Sequence, residues 1–239
     1  MQSYTIHLIR HGVTQGNLLG QYIGSTDLPL AQEGIDRLRS MAAGGGYPKA
    51  QAYYCSPLQR CRETLALLYP GAEPVIVEDF RECDFGAWEG KTAKELAEED
   101  PHFLEWMESG SQATPPGGES GAVFMHRVCA AFERLVEDML RTRTTSAVIV
   151  AHGGVLMTIL SAYGLPKAGF YDWMTENGCG YSLRITPGLW MRSMVAEVYG
   201  TLPAGEKTDE GDGRLVINLA REAADRAYGK KESNDPKEE

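Results

Sequence analysis

The chain has 239 residues, a mass of 26.2 kDa and a formal net charge of −10 at pH 7. Its 43% hydrophobic and 23% charged residues can fill the core of one large α/β domain or two small ones, and do not suit a disordered chain. The acidic balance argues against a broad nucleic-acid or anionic-membrane surface, and no apolar run is long enough to span a bilayer. A small anionic ligand would need arginines gathered into a local positive pocket.

The sequence opens on an apolar run, residues 6–9, that stops at Arg10-His11-Gly12. This is the pattern of a buried strand ending near His11. A chain that enters a strand so early lacks the basic region and apolar stretch of a secretory leader, so a cytoplasmic location is expected. Gly12, Gly16, Gly20 and Gly24 mark an irregular loop that includes Asn17. A helix is predicted from about Gln32, with Ile35, Leu38, Met41 and Ala42 on its apolar face and glycines 44–46 at its end. Residues 50–55 read as a second strand. Ser56-Pro57 then reads as a helix start, with Ser56 as N-cap and Pro57 at the first helical position. Leu58, Cys61, Leu65 and Leu68 would line its buried face. Arg60 and Arg62 fall in its first turns, where cations oppose the helix dipole unless an anion lies close by.

A short third strand is predicted over 75–77, and residues 80–90 (FRECDFGAWEG) form a loop rich in aromatics and glycines. Two short helices, 92–99 and 103–107, are separated by Pro101, and 109–118 is a polar connection. Positions 83–118 thus read as a helical cap or insertion rather than sheet. A long helix over 119–141 carries Val128, Phe132, Leu135, Val136 and Met139 at helical spacing. Residues 146–151 form another buried strand, and 153–163 its following helix. Strands alternating with helices favour an α/β fold: a three-layer α/β/α sandwich around a mostly parallel sheet. Later, 180–185, 189–199 and 215–219 read as strands, the first two as a hairpin through Pro187-Gly188. Residues 220–228 suit a short helix. Residues 1–228 read as a single domain, and 229–239 as a charged, disordered tail.

His11 and His152 each follow an apolar strand and precede glycine. In a parallel sheet those are the carboxyl ends, where ligands bind. Two imidazoles there can bind a metal, share proton transfer, or place one ring as nucleophile beside the other. A metal would need a third ligand such as Glu82 or Asp84, and the nearby arginines would oppose the cation. The same arginines suit a phosphate. A plainer alternative has both histidines merely holding loops. In the phosphoryl reading His11 attacks phosphorus, and Arg10 and Arg60 fork onto nonbridging oxygens. Asn17 donates a further hydrogen bond, and His152, if protonated, stabilises the same oxygens. Glu82 would protonate the leaving alcohol and later deprotonate the attacking water. Each has a duller account: Arg10 and Arg60 as surface cations, Asn17 as a turn residue, Glu82 paired with Arg81 or Arg60. Phe85 and Trp88 read as cap core, His7 as a structural histidine, His102 as exposed, and Arg62 and His126 as rim candidates. Five widely spaced cysteines do not make a disulfide framework or a metal knuckle.

LIRHGVTQGN, YCSPLQRCRET, ECDFGAWEG, PPGGES and VIVAHGG together resemble the histidine phosphatase superfamily, also called the phosphoglycerate mutase-like family. The resemblance covers residues 4 to about 200, in the family's order. It implies His11 as the phosphorylated histidine and Glu82 as the proton donor. Arg10, Asn17, Arg60, His152 and Gly153 would surround the phosphate. It implies a metal-independent phosphomonoester hydrolase with no cofactor, acting on a small-molecule substrate as a monomer or homodimer. The loop and PPGGES look most like alpha-ribazole phosphatases, of cobalamin biosynthesis, and broad-specificity phosphatases. Cofactor-dependent mutases carry a longer, more basic insertion, whereas residues 83–118 hold only Lys91 and Lys94 as basic residues. The alternatives are a phosphoglycerate mutase-type phosphotransferase and a catalytically silent phospho-ligand binding module. Ala31 stands where the family often has a capping threonine, and Cys83 where an aliphatic residue is usual.

Overall fold

Strands β1 (Tyr4–Arg10), β2 (Ala52–Cys55), β3 (Val75–Ile76) and β4 (Ser146–Ala151) run parallel in the spatial order β3-β2-β4-β1. Beyond β1, β5 (Gly164–Leu165), β6 (Gly180–Ile185) and β7 (Ala196–Leu202) complete a seven-stranded sheet as β6-β7-β5, with β6 antiparallel to both β1 and β7. The computed structural model describes residues 2–108 and 114–204, which fall within one unit, Met1–Glu206.

The central strands are apolar on both faces, and alternate residues feed two different cores. Ile6 and Leu8 of β1, with Ala147 and Ile149 of β4, pack under α6 (Gly121–Thr142) and α7 (Gly153–Tyr163). Ile9, Val148 and Val150 point the other way, toward α2 (Gln32–Ala43) and α3 (Gln59–Leu68). This makes the expected three-layer α/β/α sandwich on a mostly parallel sheet. Thr92 caps α4 (Ala93–Glu99), and α5 (Pro101–Glu108) follows directly. Both precede the connection to α6, and Trp88, Leu96 and Phe103 form a separate small core there.

Four local expectations are corrected. Asn17 lies not in an irregular loop but in a one-turn helix, α1 (Gln15–Leu18), capped reciprocally with Thr14. The N-cap of α3 is Leu58 rather than Ser56, whose hydroxyl is instead committed to His152. Pro187 does not turn a hairpin: it opens a short helix, α8 (Pro187–Ser193), as proline at a first helical position can. The predicted strand over 189–199 accordingly starts only at Ala196. Ala31 does leave α2 without a side-chain cap. The expectations for residues 109–113, 215–219, 220–228 and the tail lie outside the described residues. Among the described residues no helix is long and apolar enough to cross a membrane.

Trp88 ties this small core together. Its ring meets Phe103 and Trp106 edge-on at 5.4 and 5.6 Å, and its indole N–H donates to Asp100 at 2.8 Å. Trp88→Ala is expected to cost about 3–5 kcal/mol of unfolding free energy, read from urea denaturation.

Candidate active site

Three parallel strands deliver three side chains to one edge: His11 after β1, Ser56 after β2 and His152 after β4. The His11 N–H bonds the Ala151 carbonyl at 2.9 Å and the Ser56 N–H bonds the Val150 carbonyl at 3.0 Å, which keeps the exits level. The two imidazole rings lie 5.2 Å apart, at 62°. His11 Nδ1–H donates to the Gly12 carbonyl at 2.6 Å, so Nε2 keeps its lone pair. Burial, reinforced by Arg60 and Arg10 and only partly opposed by the Gly12 carbonyl, holds His11 well below its ordinary value of 6.5. The ring is therefore neutral at pH 7 and able to act as a nucleophile.

His152 is fully buried. Its Nδ1 accepts from Arg60 Nε at 3.3 Å, so Nε2 carries the proton and donates to Ser56 Oγ at 2.7 Å. Burial first, then Arg60, His11, Arg10 and Arg127, push its pKa well down. The conditional expectation of a cationic His152 is not what this geometry holds: the ring is neutral, one acceptor and one donor. Arg60 is no surface cation, with only 1% of its area exposed. Its Nη atoms donate to the carbonyls of Thr26 (2.8 Å) and Gly24 (2.7 Å). Arg10 donates through Nη1 to the Thr175 carbonyl at 2.6 Å, while its enclosed Nε has no partner among the described residues. The Arg10 guanidinium lies over the start of α7, where a Cβ at Gly153 would make an ordinary contact with that Nε at 3.5 Å.

Glu82 joins the same cluster rather than pairing with Arg81, which pairs with Glu78. Its carboxylate accepts the N–H of Gly154 (3.0 Å) and of Cys83 (3.0 Å). A Cβ at Gly154 would sit 2.4 Å from Glu82 Oε1, so only glycine admits the carboxylate there. Asn17 Oδ1 accepts from Thr14 N (3.1 Å) and Thr14 Oγ1 (3.0 Å), which leaves the carboxamide N–H groups as donors. Arg62, His102 and His126 are exposed and outside the cluster, and buried His7 bonds Ser182 within the sheet. Among the described residues no three His, Cys, Asp or Glu side chains converge as metal ligands, so the metal alternative gains no geometric support.

Several supporting residues escaped the sequence reading. Thr64 accepts the Gly12 N–H at 2.8 Å and donates to the Arg60 carbonyl at 2.6 Å. Arg127 donates to the carbonyls of Asp79, Arg81 and Glu82 while paired with Glu119, fixing the loop that carries Glu82. Residues 175–179 back the whole site: Thr175 holds Arg10, and Asn177 and Gly178 bond the His11 carbonyl. Their signal was available only through the direction of β6. An antiparallel strand begins at the edge where its parallel neighbours end.

The histidine phosphatase superfamily (branch 1) model matches residues 6–196. The chain belongs to this family. An adenosylcobalamin/alpha-ribazole phosphatase of Salmonella typhimurium is 29% identical over 186 residues, 76% of this chain and 90% of the relative. The crystal structure of the alpha-ribazole phosphatase from Shigella flexneri aligns with a TM-score of 0.70 at 27% identity, covering 82% of this chain and 94% of that one. A structure of phosphoglycerate mutase from Thermus thermophilus aligns at 0.58 and 32% identity, covering 77% and 93%. This histidine phosphatase family member thus has relatives named for both hydrolysis and isomerisation.

The buried histidines make folding sensitive to acid. His7, His11 and His152 all sit below the ordinary 6.5, chiefly through burial. Below that pH the unfolded chain binds protons that the folded chain refuses, so stability is present above about 6.5 and lost as pH falls. Urea unfolding between pH 7.5 and 5.5 should show a falling free energy, with a slope of up to roughly 1.4 kcal/mol per pH unit for each histidine. His152→Gln should flatten the slope.

Proposed function

We propose that this protein is a metal-independent phosphomonoester hydrolase that works through a phosphohistidine at position 11. The observation that carries the reading is the tautomer of His11: Nδ1–H is locked on the Gly12 carbonyl, which leaves Nε2 its lone pair on a ring close to Arg60, Arg10 and His152. In the first step Nε2 attacks phosphorus, the P–N bond forms and the ester P–O bond breaks. Glu82 gives its proton to the leaving oxygen. Water then attacks the phosphohistidine, returns a proton to Glu82, and releases inorganic phosphate. Arg10, Arg60 and the Asn17 carboxamide meet the nonbridging oxygens. An entering dianion would also favour protonation of His152, working against the burial and the neighbouring cations that depress it.

The substrate we favour is a small monoester with one phosphate, with alpha-ribazole phosphate first to be tried. Two relatives bearing that name support it, as does the composition of the α4–α5 segment, read here as a cap. Lys91, just before it, is already paired with Glu99 at 2.8 Å, and Asp100 and Glu95 add negative charge nearby. A mutase needs cations to retain a second phosphate. The Thermus structure named phosphoglycerate mutase keeps that second reading in play.

Turnover of an aryl phosphate in chelator should fall at least about 10³-fold in His11→Ala. The wild type should yield acid-labile, alkali-stable phosphate on His11. Equal rates in the two proteins would sink the reading. Faster isomerisation of phosphoglycerate than hydrolysis would favour the mutase, and binding without turnover of any ester the silent module. Glu82→Gln should cost about 10²–10⁴-fold on alkyl esters and less on aryl esters, whose leaving groups need no proton.

A further inference from the structure

Asn177 lies in the turn before β6 and touches three parts of the site at once. Its side-chain nitrogen is 3.0 Å from the His11 carbonyl, 3.4 Å from the Gly12 carbonyl and 3.3 Å from Asn17 Oδ1. The orientation of this carboxamide is forced. Two of the three partners are carbonyl oxygens, which only accept. The third also accepts the backbone N–H of Thr14, so it too is an oxygen. Only the NH₂ end of Asn177 can face them. The Gly12 carbonyl that it touches is the one that fixes the tautomer of His11, at 2.6 Å from Nδ1. The Asn17 oxygen that it touches is the one whose restraint leaves the Asn17 N–H groups to donate.

We infer that Asn177 is a positioning residue, whose NH₂ group holds the nucleophile's peptide and the Asn17 carboxamide in register for the same phosphoryl group. It acts through them and needs no contact with substrate. The turn is itself tied down: Gly178 N–H bonds the carbonyls of Arg10 (3.0 Å) and His11 (3.2 Å), and Cys179 O accepts the Arg10 N–H at 2.9 Å. The Asn177 side chain therefore extends a rigid backbone contact to two catalytic groups. The inference rests on His11 as nucleophile.

The test is rapid-quench measurement of phosphohistidine formation, with steady-state kcat and KM, in wild type, Asn177→Ala and Asn177→Asp. Thermal melts set a temperature at which all are folded. Asn177→Ala should slow phosphorylation and kcat on the order of 10–100-fold, as loss of alignment does, with KM moving less. Asn177→Asp keeps the shape but turns an oxygen toward three acceptors, so it should be slower than Asn177→Ala. A role limited to filling space would give the opposite order. Asn177→Leu, which keeps the bulk without a donor, replaces the aspartate if that variant does not fold, and should be no faster than Asn177→Ala. Wild-type phosphorylation in Asn177→Ala, or an Asn177→Asp or Asn177→Leu faster than Asn177→Ala, overturns the inference. Absence of phosphohistidine in the wild type instead overturns the reading of His11.

Discussion

Two imidazoles and the Arg60 guanidinium are buried at one end of the sheet with the half-buried Arg10 beside them, and the chain must satisfy their polar groups from within. An enclosed cation without hydrogen-bond partners is costly, and a matched carboxylate would relieve the cost at the expense of the field. Here the guanidinium N–H groups go to backbone carbonyls, although Glu82 lies close enough to act on Arg10. Arg60 leans on Gly24 and Thr26, and Arg10 on Thr175. Carbonyl dipoles satisfy N–H groups and leave the net charge in place. A chain with a formal charge of −10 thereby keeps a positive interior for an anion.

Carbonyl solvation makes demands on the loops. The segment that presents Gly24 and Thr26 to Arg60 has to be held from behind, and Glu89 does this. Its carboxylate accepts the backbone N–H of Gly24, Ser25, Thr26 and Phe85. The resulting approach is so tight that a Cβ at Gly24 would lie 1.7 Å from the Cys83 carbonyl. Sterics of the same kind act at Gly180, where a Cβ would meet the Leu8 carbonyl at 1.8 Å. These glycines are where loops close on the site and where β6 closes on β1, and they explain why the loop carrying Glu82 cannot drift independently of Arg60.

The elements readable in the sequence were those whose residues answer to local or periodic rules. The buried strands of β1 and β4, the amphipathic α6 and the paired His-Gly exits all follow from apolar patterning. His11 and His152 came together because parallel strands share an edge. Ser56 misled because capping propensity is a local signal, and a hydroxyl within reach of a buried imidazole has a stronger claim on it. Pro187 misled in a similar way: proline suits both a turn and a first helical position, and the packing of Trp190 into the core decides for the helix. Asn177, Thr64, Glu89 and Arg127 stayed invisible because their partners are backbone atoms far away in sequence. Residue identity alone does not name such partners.

The last piece of the arrangement concerns the start of α7. A helix N-terminus commonly offers its free N–H groups to a phosphate. Here Gly154 N–H is taken by Glu82. One N–H at the start of α7 thus holds the Glu82 carboxyl group, and in the proposed mechanism the guanidiniums and the Asn17 carboxamide meet the anion. In that mechanism Glu82 and the phosphate draw on different donors. The same mechanism has Glu82 beside the phosphate rather than among the groups that bind its nonbridging oxygens. A group that must pass a proton to a leaving oxygen, while staying off the nonbridging ones, needs that place.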